Sequence, residues 1–116
     1  NVVQLFASHA LAIAKNKIIE MGHITIEAVE GIRAYFETKN PLAKDGVYEM
    51  ENAINTLDSK ITEYLVLISH ETLNDHDSND YLANMKTIKD FERIGDHGLN
   101  IAVAFDEIKD DLTEMA

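Results

Sequence analysis

The stretch VYEMENAINTLDSKITEYLVLI, residues 47–68, decides the fold. Val47, Met50, Ile54, Leu57, Ile61, Tyr64 and Ile68 alternate steps of three and four without a break. That spacing lays one apolar seam along a helix and predicts left-handed bundle packing at a shallow crossing angle. Asp45 is the expected N-cap of this helix.

The same period extends on both sides. Towards the N-terminus, Leu5, Leu11, Ile18, Met21, Val29, Ile32 and Phe36 form a stripe from about Val2 to Lys39, with one offset near Gly22. Asn40-Pro41 should end that helix, because a residue before proline disfavours the α region. Towards the C-terminus, the polar run Asn74–Asn79 reads as a turn capped by Asp77 or Ser78. A third helix follows from about Asp80 to Glu114, carrying Leu82, Met85, Ile88, Phe91, Ile94, Ile101, Phe105, Ile108 and Leu112. Short turns between long helices make neighbours antiparallel, so the expected fold is an all-α, up-down-up three-helix bundle. Its expected core includes Ile54, Leu57, Ile61, Phe91, Ile94 and Ile101.

Composition narrows the function. The 116 residues suit one domain, 1–116, and 46% of them are apolar, enough for a core. One proline and five glycines favour long helices. A net charge of −11 repels phosphate backbones and anionic lipid, which argues against nucleic acid as a partner. The absence of cysteine removes disulfides, thiolate catalysis and sulfur-bound zinc. No apolar run reaches the ~20 residues of a membrane helix. Asn1 already falls in a helical pattern, and the chain reads as a piece of a longer protein.

The chemistry-bearing residues sit on the second and third helices. Glu92 and Asp96 lie four apart and share a helical face, where like charges repel unless a cation lies between them. Glu51 and Asn55 repeat that spacing on the second helix. A pair on each of two helices is how bundles assemble carboxylate-bound metal sites, and oxygen donors suit hard divalent or ferric ions. Asp90, Asn100 and His97 are nearby candidates. The alternative is an exposed acidic face neutralised by Arg93 or Lys89. Gly95 and Gly98 each cost a helix roughly 1 kcal/mol relative to alanine, so a close neighbour is expected there.

Glu20 and His23 form one Glu-x-x-His element, and no second one exists. A di-iron oxidase of the ferritin type needs two. His9, His70 and His76 show no zinc spacing. Without a phosphate loop or a nucleophile–base arrangement, nothing requires catalysis.

The run Glu92-Arg93-Ile94-Gly95-Asp96-His97, continued by Asn100-Ile101-Ala102, resembles the signature of the PhoU family. Met21-Gly22 in the first helix and Met50–Leu57 in the second are similar to the family's corresponding segments. The resemblance covers essentially the whole chain as one three-helix unit. Phosphate-regulatory PhoU proteins carry two such units, and this chain has room for one. Lys60-Ile61-Thr62-Glu63-Tyr64-Leu65 looks like the tail domain of sodium/phosphate cotransporter-related proteins. The resemblance therefore implies a regulatory, non-enzymatic domain on the cytoplasmic side of the bacterial inner membrane. Its implied partner is the transporter portion of the same chain or a separate phosphate transporter, with homodimerisation as a further expectation. The alternatives are half of a stand-alone phosphate-uptake regulator, or an oligomerisation module. In some family members such acidic pairs bind metal clusters. Glu92 with Asp96 matches intact, whereas Asn55 stands where the family has an acid beside Glu51. That substitution implies a weakly held divalent or ferric ion in place of a cluster.

Overall fold

Asn40 and Pro41 both stop one helix and start the next. In the computed structural model, which describes residues 2–68 and 73–115, α1 runs Val2–Thr38, α2 Pro41–Ile68 and α3 Asp75–Met115. At the end of α1 the Thr38 hydroxyl donates to the Ala34 carbonyl (2.8 Å), and Lys39 turns left-handed at φ 57°. Its N–H then closes on the Tyr35 carbonyl at 2.7 Å. The Asn40 side chain accepts from the Leu42 N–H at 3.0 Å. Pro41 thereby occupies the first helical position, where its missing N–H costs nothing. The expected N-cap at Asp45 is thus corrected: Asp45 lies inside α2.

The third helix also begins earlier than Asp80. Asn74 caps it by accepting from the Asp77 N–H at 2.8 Å, in place of Asp77 or Ser78. Asp75 and Asp77 then sit in the first turn, where negative charge complements the helix dipole. His70 lies outside the described residues.

Contacts fix the relative directions. Between α1 and α3 partners advance together: Ser8 donates to Asp77, Lys15 pairs with Asp80 at 3.3 Å, and Tyr35 donates to Asp106. Along α2 they run the other way: Lys44 reaches Asp106, Glu51 meets Gly95, and Lys89 reaches Asp58 at 2.9 Å. The three helices form a rod of 70 × 18 × 17 Å.

The buried rows are heptads. On α1 they are Ala7, Ala14, Met21, Ala28 and Tyr35, with Leu11, Ile18, Thr25 and Ile32. Steps of seven keep a seam facing its partner. On α2, Val47, Ile54, Ile61 and Ile68 form one row as expected. The second row is not Met50, Leu57 and Tyr64, which are half-buried, but Glu51, Asp58 and Leu65, of which Glu51 and Leu65 are fully buried. On α3 the buried row is Ile88, Gly95 and Ala102.

Several expected core positions are corrected accordingly. Leu57 and Phe91 are only half-buried, at the edge of the core. Ile94 and Ile101 are 44% and 55% exposed, and Leu5, Leu82 and Val29 are exposed too. A helix touching just two neighbours buries a narrow stripe. On α3 small residues fill that stripe, so the large isoleucines one position away point outward.

Candidate functional site at the seam of α2 and α3

Two of the expected pairs do come together, across the α2–α3 seam. Glu51 occupies a core position and is 5% exposed. Neither of its carboxylate oxygens has a hydrogen-bond partner. Burying an ionised carboxylate without a donor is costly, so such a group holds a proton or a cation. Burial, followed by the Asp96 and Glu92 carboxylates beside it, pushes the Glu51 carboxyl up to about 7, while Asn55, one turn on, acts in the opposite sense.

Asp96 is the middle of the three carboxyl groups. It is held below the usual carboxylate range, first by the neighbouring Glu51 carboxyl, the buried one of the three and the one that retains a proton, and then by Glu92. Glu92 is pushed up, chiefly by Asp96, then by burial and by Asp58, with Lys89 opposing. The order Glu51–Asp96–Glu92 is therefore a row of carboxyls too close together for all to be charged at once, so the row retains protons.

Gly95 makes the arrangement sterically feasible. A side chain there would run into the Glu51 Oε2 atom and lie 3.2 Å from Ile54 Cδ1. Glycine thus vacates the space that the buried carboxylate uses. Gly98 does the same for α1: a Cβ at that position would sit 2.5 Å from Ile32 Cδ1. Both mid-helix glycines mark close approach, as their cost to the helix predicted.

The cations that could have neutralised this row are engaged elsewhere. Arg93 lies 3.7 Å from Asp90, Lys86 pairs with Asp90 at 3.0 Å, and Lys89 pairs with Asp58. Glu92 is half-buried and Asp96 exposed, with Lys89 acting on Glu92 and His97 on Asp96 only through their charge. Asn55 is exposed, one turn from Glu51. Glu20 and His23 are exposed, and Glu20 pairs with Lys17 at 3.2 Å. Asp90 is absorbed by its own cations. His76, Asp77 and Asp80 also cluster at the start of α3, but Ser8 and Lys15 already engage the two aspartates.

The residues 18–104 of the chain match the model of the PhoU domain. This chain belongs to the PhoU family. Two PhoU relatives from Xylella fastidiosa, strains Temecula1 and 9a5c, are each described as a phosphate-specific transport system accessory protein PhoU homolog. Each is 28% identical over 86 residues, covering 74% of this chain and 36% of the relative. The chain thus spans about a third of the length of the curated relatives it matches. No solved structure matches this PhoU-family chain significantly. No helix among the described residues is long and apolar enough to cross a membrane.

Proposed function

We propose that this PhoU-family chain is a non-catalytic regulatory domain of phosphate transport that responds to a cation at the α2–α3 seam. Residues 1–116 form one up-down-up bundle in this reading, acting on the cytoplasmic side of the membrane as part of a sodium/phosphate symporter. The observation that carries the cation is the buried Glu51, whose two oxygens lack any donor and face Asp96 and Glu92.

A divalent or ferric ion held by Glu51, Glu92 and Asp96, with the Asn55 amide at the rim, would supply the missing positive charge. Its ligands come from two helices, so occupancy would tie α2 to α3. Emptying the site would return a proton to Glu51. With Asn55 neutral, the ligand set carries less charge than an all-acid one, which favours exchangeable binding over a permanent structural ion.

Phosphate uptake in cells that rely on the full-length protein tests the regulatory reading. Glu51→Gln with Asp96→Asn should leave uptake present but change its response to external phosphate. Uptake with unaltered regulation in that variant would contradict the reading. Length supports a second reading: relatives nearly three times longer than the matched segment leave room for this unit as one part of a separate accessory regulator. Apolar segments of about twenty residues upstream of Asn1 would distinguish the symporter from that alternative.

A further inference from the structure

The row of carboxyls at the α2–α3 seam continues past Glu92. Asp58 follows Glu51 by seven residues on α2, about 10 Å along the helix and on the same face. Partners run in opposite directions along α2 and α3, so Glu51 meets Asp96 while Asp58 meets Glu92. There Asp58 joins Asp96 and burial in pushing the Glu92 carboxyl up. The Asp58 side chain is 16% exposed and accepts from the Thr62 hydroxyl at 3.1 Å. Four carboxyl groups from two helices thus lie in one line, Glu51–Asp96–Glu92–Asp58.

The two ends of that line differ. At Glu51 neither carboxylate oxygen has a partner. At Asp58 the Lys89 ammonium stands 2.9 Å from Oδ1 and 3.2 Å from Oδ2. A nitrogen within reach of both oxygens takes the bidentate position, which is where a divalent ion sits on a carboxylate. Lys89 is three residues before Glu92 and crosses from α3 to α2. Its neighbours Lys86 and Arg93 instead turn back to Asp90 on their own helix. An exposed ion pair contributes little, but a cation against a part-buried carboxylate compensates charge that would otherwise go unpaired.

We infer that Lys89 is a built-in counter-ion that fills a second cation position on Asp58 and Glu92, and so limits the seam to one exchangeable ion. The inference rests on the cation reading of Glu51, Glu92 and Asp96 proposed above. The ammonium cannot leave the chain, so it ties α3 to α2 at this end whether or not an ion is held at Glu51. Removing it leaves Asp58 and Glu92 as oxygen donors from two helices, with the Thr62 hydroxyl beside them. Such a set takes a hard divalent ion.

Calorimetric titration with Mn²⁺, read as ions bound per chain, tests this on the parent, on Lys89→Met, and on Lys89→Met combined with Asp58→Asn. The parent should take one ion and Lys89→Met two, and adding Asp58→Asn should return the count to one. Lys89→Arg keeps the charge and should behave as the parent. Without metal, Lys89→Met should melt below the parent, because Asp58 is left uncompensated, and Mn²⁺ should restore the loss. One ion in both the parent and Lys89→Met would overturn the inference while leaving the cation reading intact. No ion in the parent but one in Lys89→Met, lost again with Asp58→Asn, would uphold the role of Lys89 and contradict the reading at Glu51. No ion in any of the variants would contradict both.

Discussion

The Glu51 carboxylate on α2 lies directly over Gly95 on α3, so that a Cβ on Gly95 would run into Glu51 Oε2. Each explains the other. The glycine is needed because the carboxylate occupies its side-chain space, and the carboxylate survives burial because it keeps a proton or acquires a cation.

The first consequence is an unusual dependence on pH. The folded-state pKa of Glu51 is raised to about 7, whereas the unfolded value stays near 4.5. Between those values the folded chain binds the extra proton, so stability falls as pH rises. The stabilisation is fully present below the lower value and is lost as pH rises through about 7. Glu92, also raised, acts in the same direction. Asp96, Asp77 and Asp106 are lowered and act oppositely, but at more acidic pH. Without metal, the melting temperature should therefore peak near pH 5 and drop towards pH 8. Glu51→Gln should flatten that drop and raise the melting temperature at pH 8. A parent protein equally stable at pH 5 and pH 8 would show that Glu51 ionises freely.

Substitution at the two α3 glycines should cost stability despite better helix propensity. Alanine gains about 1 kcal/mol over glycine in an exposed helix. At Gly95 it would displace Glu51 and press on Ile54, and Gly98→Leu would collide with Ile32. Overpacking of this kind typically costs about 1–3 kcal/mol. Urea unfolding should place both variants below the parent. A higher midpoint for Gly98→Leu would mean that Ile32 yields without penalty.

Truncating the core rows separates buried positions from seam positions. Ile54 is fully buried, so Ile54→Ala should cost about 2–5 kcal/mol. Leu57 is half-buried and should cost less than Ile54. Ile94→Ala, at an exposed position, should cost the least. Chemical denaturation of the three variants gives the ranking, and a larger loss for Ile94 than for Ile54 would reverse the assignment of faces.

The sequence made the helices legible because the apolar period is strong over all three, and because Asn40-Pro41 breaks the pattern. Helix starts were less legible. Asn40 and Asn74 cap through single side-chain contacts, while Asp45 and Asp77 have equally suitable side chains and merely lie further along. The faces were misread where polarity and burial part company. At the second α2 row, Met50, Leu57 and Tyr64 are the apolar residues, yet Glu51, Asp58 and Leu65 point inward. A search for seven-residue spacing would have joined Glu51 to Asp58 and Leu65, but two acids in a core row look like an error in hydrophobicity alone. On α3, Gly95 and Ala102 take the buried row that Ile94 and Ile101 were expected to fill, because small residues let α3 approach its neighbours. The acidic pairs themselves were visible by spacing. What spacing could not give is which acid is buried, or that Lys89 and Arg93 are engaged by Asp58 and Asp90.

The central claim is that Glu51, Glu92 and Asp96 hold a cation. Titration calorimetry with Mn²⁺, Mg²⁺ and Ca²⁺, accompanied by melting curves, tests it most directly on the parent and on the double variant Glu92→Gln with Asp96→Asn. The parent should bind one of these ions and melt higher by mass action, since only the folded chain brings the two helices' carboxylates together. Binding should tighten as pH rises through about 7, because the ion displaces the Glu51 proton. The double variant should show no saturable heat and no ion-dependent rise in melting temperature, while its metal-free form melts slightly higher through relieved repulsion. Equal shifts in parent and variant would mean that the ions only screen the −11 surface, and the cation site would be ruled out.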